Sequence, residues 1–228
     1  MPPDQSRLIR YQPARHTLSA GTTLYRVHRT FRSALAFNTR IADSNNSHGR
    51  FDSIIGDPYS YYYAALTMRT ALFEAVVTES CESADVVERI PRNKMERRRL
   101  SAVELTLDVD LISLISRQDL AAIGQDEWLI TTDRDRFTET RRWAHQLRVL
   151  GPWAHGIIWR SRRSREEHAL MLFGDRCDSS FLRDIPERSR DLNTESEIGW
   201  LNDMLAPIEV ESYRSAQKTV TAPPFLPG

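Results

Sequence analysis

The chain has 228 residues, 40% of them hydrophobic, which is enough apolar material for a core and excludes a disordered chain. Lys plus Arg and Asp plus Glu both number 31, so there is no global positive field to hold nucleic acid through its phosphates. The two cysteines, Cys81 and Cys177, are too few for a disulfide framework; no secretory leader, transmembrane helix or membrane association is expected, and the predicted location is the cytoplasm.

Residues 1–20 are polar with three prolines and read as a surface arm. Leu24 to His28 (LYRVH) predicts a short strand. Residues 38–58 are rich in Asn, Asp, Ser, Gly and Pro, the chemistry of a loop. Tyr59 to Ala65 predicts a strand running into a helix, and Thr70 to Val77 (TALFEAVV) has the composition of a helix. Residues 91–100 are basic and break the pattern, so they are read as an exposed connector. Val103, Leu105, Leu107, Val109 and Leu111 alternate with less apolar residues, the clearest strand period in the chain. Ser116 and Asp119 have the spacing of a helix N-cap. Phe137, Ala144, Leu147 and Leu150 fall on one helical stripe within residues 133–150. Gly156 to Trp159 and Ala169 to Phe173 read as two further strands. The pattern weakens after Pro186, and little order is expected from Thr219 onward. Strands dispersed among helices without strict alternation predict a mixed α+β fold.

The common catalytic signatures are absent: no GxxxxGK(S/T), no GxGxxG after a strand, no HExxH and no GxSxG. Glu167-His168 is the one close acid–histidine pair, and a solvated or edge histidine explains it better than zinc, so no metal is expected. What stands out is a set of polar groups inside apolar elements. Arg26 interrupts a strand, Gly49-Arg50-Phe51 closes a polar loop, Tyr63 enters a helix, Glu74 interrupts Ala71–Val77, and Ser161 ends the strand from Gly156. Burying a carboxylate or a guanidinium without a partner is costly, so each needs a reason. Singly, each has a structural one: an Arg26–Glu74 ion pair, a core aromatic at Tyr63, a strand-end cap at Ser161.

Together, the order LYRVH, Phe37-Asn38, GRFD, YYYAA, ALFEAV, then Trp159-Arg160-Ser161-Arg162-Arg163 and HALMLFG, resembles the RES domain family over about residues 21–175. The arginine, glutamate and serine that name the family match Arg26 or Arg50, Glu74 and Ser161, and its tyrosine matches Tyr63. The resemblance implies a single domain spanning 1–228: a core of about 21–180, the arm, and an extension over 181–228. It implies an ADP-ribosyltransferase-like fold, with small mixed sheets and flanking helices around an NAD+ cleft. It further implies a toxin that consumes NAD+ as substrate, with no further cofactor, restrained by an Xre-type antitoxin. Direct nucleic-acid binding is not expected, and self-association is compatible with the chain.

In that reading the nicotinamide–ribose bond breaks through an oxocarbenium-like transition state, as in glycoside hydrolysis. Nicotinamide leaves as a neutral molecule, so charge stabilisation and positioning matter more than a general acid. Glu74 is the electrostatic partner of the ribose. Arg26 and Arg50 suit the diphosphate, because a guanidinium offers paired donors. Tyr63 suits the positive nicotinamide ring. Ser161 has three open roles: bonding the carboxamide, the ribose or Glu74. Tyr25, His28 and His48 lie beside the motifs. Two alternatives remain: a protein ADP-ribosyltransferase with the same site, and a non-enzymatic basic module built on Met95–Arg99 and Arg160–Arg165.

Overall fold

A computed structural model describes residues 11–42, 49–77, 90–161, 167–205 and 212–213. Its centre is the alternation of residues 156–173. In β7 (Gly156–Arg160) and β8 (His168–Phe173), Ile157, Trp159, Ala169, Met171 and Phe173 enter one hydrophobic cluster, while Ile158, Leu170 and Leu172 enter another on the opposite face. A period-two pattern with both sets apolar is what a strand needs when both faces are covered. Full burial of each Ile, Leu, Met or Phe side chain among them contributes roughly 1.5–3 kcal/mol.

Around this pair the chain builds one curled eight-stranded sheet. The other members are β1 (Arg15–Leu18), β2 (Thr23–Arg29), β3 (Tyr61–Ala65), β5 (Arg98–Leu105), β6 (Val109–Leu114) and β9 (Leu182–Asp191). The order across the sheet is β1-β6-β7-β8-β3-β2-β5-β9. Only β6 and β7 pair in parallel; the other pairs are antiparallel. The two-residue strands β4 (Ile90–Pro91) and β10 (Ser212–Tyr213) form a separate parallel ribbon. Helices flank the sheet: α1 (Met68–Leu72), α2 (Arg117–Ala122), α3 (Trp128–Thr131), α4 (Phe137–Leu150) and α5 (Glu195–Leu205). The expected mixed α+β class is thus the observed one. Among the described residues no helix is long and apolar enough to cross a membrane.

Several expectations hold closely. Ser116 caps α2 in a capping box with Asp119. Phe137, Ala144 and Leu147 form the buried stripe of α4. Others need correction. The arm is not wholly peripheral: β1 pairs with β6 and Leu18 is buried. Residues 91–100 are not an exposed connector, because Met95 and Arg98 are buried and β5 begins at Arg98. The alternation over 103–111 is two strands, parted by a turn at 106–108 that contains neither Gly nor Pro. Beyond Pro186, where the sequence pattern weakens, the chain completes β9 and forms α5. Cys81, His48, Arg162, Arg163 and the chain from Thr219 lie outside the described residues.

The pairing within the sheet is sparsest between β2 and β3. β2 pairs with β5 along its whole length, but it meets β3 only at Tyr25 and Ala65. Residues of both strands line a cavity.

Candidate active site

The cavity has a volume of about 680 Å3 and is lined from β2 by Tyr25 to Arg29, from β3 by Tyr61, Tyr63 and Ala64, and from β7 by Trp159. That size falls in the usual range for a small-molecule site, about 300–1,000 Å3. Among the described residues, eight Lys or Arg side chains line it against two carboxylates, Asp52 and Glu74, so these walls attract an anion.

Glu74 arrives by an irregular route. Thr67 caps α1, which runs five residues before the backbone widens into a single π-turn, Phe73–Val77. Such turns cluster at functional sites because they re-aim one side chain at the cost of regular hydrogen bonding. Here the Arg98 guanidinium donates to the Ala75 carbonyl at 2.9 Å, inside the turn. Phe73 and Val76 pack into the core, while Glu74 lines the cavity. Ser161 donates its hydroxyl to Glu74 Oε1 at 2.7 Å. Ser161 is 1% exposed and is not among the residues lining the cavity. Of its three open roles, the structure displays the contact with Glu74.

Arg26 is 8% exposed and lies 4.0 Å over the Tyr62 ring. Its Nη1 donates to the carbonyls of Ala34 and Ala36, and its Nε has no hydrogen-bond partner among the described residues. The Arg26–Glu74 ion pair raised by the sequence is not among the contacts of Arg26. Arg50 donates to the carbonyls of Leu129 and Thr132 and lies 4.7 Å over Phe137. For Arg26 the acceptors are carbonyl oxygens, which orient the guanidinium without cancelling its charge.

The loop that carries Arg50 is fixed by Asp52, a residue the sequence did not single out. Asp52 is 3% exposed and accepts from the Tyr61 hydroxyl, the Tyr63 hydroxyl and the Gly49 amide at 2.8, 2.8 and 2.9 Å. The approach is so close that a Cβ on Gly49 would collide with the Asp52 carboxylate and the Tyr63 hydroxyl. From the other side, α4 grips the same loop: Thr140 donates to the Arg50 carbonyl at 2.6 Å and Arg141 to the Gly49 carbonyl at 3.1 Å. Burial first, and Asp52 second, push the Tyr63 phenol well above its usual pKa, so it remains a donor. Tyr63 is therefore held by its hydroxyl while its ring meets Trp159 edge-on at 6.1 Å.

His28 lines the cavity beside Arg26. Its Nδ1 donates to the Arg29 carbonyl at 3.0 Å, and its Nε2 shares a hydrogen bond with the Ser101 hydroxyl at 2.8 Å. Burial and the adjacent Arg26 hold its pKa below the usual histidine value. Lys94 and Arg98 also line the cavity; both fall in the stretch read as a connector. In the first basic stretch, Met95 and Arg98 are buried while Arg97 is exposed. In the second basic stretch, Arg160 pairs with Glu127 at 3.2 Å and residues 162–165 lie outside the described residues. Among the described residues no group of three His, Cys, Asp or Glu is placed to hold a metal.

The structure thus brings Arg26, Arg50, Tyr63 and Glu74 to one cavity and sets Ser161 directly behind Glu74. The model of the RES domain family matches residues 23–195, which span β2 to the start of α5. The chain belongs to the RES domain family. The match runs further than the sequence motifs, which end near residue 175, and takes in β9 at the far edge of the sheet. No curated protein sequence matches the chain. Among solved structures, this RES domain is similar to a chain of the M. tuberculosis MbcT–MbcA toxin–antitoxin complex. The TM-score is 0.56 at 19% identity, over 77% of this chain and 86% of that one. At that identity the likeness is one of fold.

Proposed function

We propose that this RES domain is the toxin of a toxin–antitoxin pair and that it consumes NAD+ by cleaving the nicotinamide–ribose bond. The observation that carries the reading is the Ser161–Glu74 hydrogen bond, which fixes a carboxylate at the wall of a cation-rich cavity. A fixed carboxylate stabilises positive charge developing at ribose C1 without reorganising at the moment of reaction. Arg26 and Arg50 hold the diphosphate, and Tyr63 offers its ring to nicotinamide. Nicotinamide departs with the bonding electrons. The acceptor, water or phosphate, adds to C1 and loses a proton, giving ADP-ribose or its 1″-phosphate.

An enzyme that destroys a central cofactor needs restraint in its own cytoplasm. The structural neighbour is part of a toxin–antitoxin complex, and a partner antitoxin of the Xre type fits the same role here. The test is incubation of purified protein with NAD+, with and without phosphate, resolving products by mass. Free ADP-ribose or its phosphate together with nicotinamide is the expected result. ADP-ribose attached to protein identifies a transferase instead, and intact NAD+ overturns the reading.

A further inference from the structure

Glu167 is not among the residues lining the cavity, yet it touches the supports of both members of the Glu74–Ser161 pair. Its backbone carbonyl accepts from the Ser161 amide at 2.9 Å. Its side-chain Oε2 accepts from the hydroxyl of Thr67, the N-cap of α1, at 2.5 Å, and from the hydroxyl of Thr70 in the first turn of the same helix. Thr67 Oγ1 in turn accepts from the Thr70 amide at 3.2 Å. The next residue continues the seam, with the Leu66 amide donating to the His168 carbonyl at 3.1 Å.

Glu74 lies in the π-turn after α1, so its position depends on where α1 begins. Ser161 directly follows β7, and its amide is held by the Glu167 carbonyl ahead of β8. These two supports are distant in sequence, and Glu167 fastens one to the other through its own backbone and carboxylate. Two hydroxyls on one ionised oxygen are charge-assisted bonds, roughly twice as strong as neutral ones. The alternative reading of Glu167-His168 as half of a metal site has no third ligand among the described residues.

We propose that Glu167 is a positioning residue that sets the Ser161 hydroxyl in register with the Glu74 carboxylate. The proposal rests on the reading of Glu74 as the group that faces the ribose. Glu167→Ala removes the grip on α1; Glu167→Gln keeps an oxygen for both hydroxyls. With the full chain and NAD+, Glu167→Ala is expected to lower kcat about tenfold, the worth of one hydrogen bond to a charged group. KM should change less than about twofold, and Glu167→Gln should recover most of the loss.

Amide hydrogen exchange supplies a readout that does not require turnover. In Glu167→Ala the amide of Ser161 and those of residues 74–77 should exchange about tenfold faster, because their local opening is no longer held back. Amides of Ala144 and Leu147 in α4 should be unchanged. If Glu167→Ala does not fold, Thr70→Val, which removes one donor and keeps the carboxylate, should shift both readouts in the same direction by a smaller amount. Faster local exchange in the variant, with a wild-type protein that leaves NAD+ intact, supports the positioning role and sinks only the proposed activity. Wild-type kcat and exchange in Glu167→Ala, or a uniform rise in exchange that includes α4, overturns the proposal.

Discussion

Ser161→Ala separates the roles open to this serine more cleanly than any other change. The substitution deletes one buried oxygen, the donor that sits 2.7 Å from Glu74 Oε1, and leaves the Ser161 amide on the Glu167 carbonyl. A hydrogen bond to a charged group contributes roughly 1.5–3 kcal/mol. If that bond fixes Glu74 where it meets the developing charge, the loss falls on the transition state. At about 1.36 kcal/mol per factor of ten, kcat should drop roughly 10- to 150-fold. Ser161 is 1% exposed and does not line the cavity, so ground-state binding should barely change and KM should stay within about twofold. The assay is steady-state NAD+ turnover beside a thermal melt, since the same bond also supports the fold. A raised KM with unchanged kcat would mean that Ser161 bonds the substrate itself, and unchanged values for both would remove it from the site.

Three other substitutions have outcomes set by the geometry. Arg26→Lys gives up the carbonyl bonds to Ala34 and Ala36 and the stacking over Tyr62, so a melt should show about 2–3 kcal/mol of lost stability alongside weaker NAD+ binding by calorimetry; binding equal to wild type assigns Arg26 a structural role alone. Asp52→Asn turns one acceptor into a donor facing Tyr61, Tyr63 or Gly49, and should cost about 2–4 kcal/mol and abolish NAD+ binding; a stable, binding-competent variant refutes its role in the loop. His28 is held neutral by burial and Arg26, so as pH falls below about 6.5 the unfolded chain takes up the proton first and the folded state loses stability until the folded pKa is passed. The fall in melting temperature between about pH 7.5 and pH 5 should therefore be smaller in His28→Gln than in wild type, and equal slopes contradict the assignment.

The parts of the fold that were legible in the sequence are those where burial writes a period. β2, β3, β7 and β8 are apolar on at least one face, and the Ser116–Asp119 box carries its own local chemistry. β9 is hidden because it is an edge strand with one paired side and mostly exposed side chains, so Arg183 to Asp191 has no reason to alternate. Residues 91–100 misled because Arg98 is buried by hydrogen bonding to the Ala75 carbonyl, a long-range partner that no local pattern records. The same contrast holds at the site. Arg26 and Glu74 are visible as charges inside apolar runs. Asp52 is one acid in a polar loop, and only the fold brings Tyr61, Tyr63 and Gly49 around it.

The central claim is that the Glu74 carboxylate stabilises the breaking nicotinamide–ribose bond. Single-turnover cleavage of NAD+ by excess, saturating wild type or Glu74→Gln enzyme tests it most directly, because saturation removes binding and restriction to one turnover removes product release. Gln keeps the shape and can still accept from Ser161, so only the charge is withdrawn. The predicted rate is slower by about 100-fold or more, with an unchanged thermal midpoint. Cleavage at the wild-type rate by a folded Glu74→Gln protein contradicts the claim.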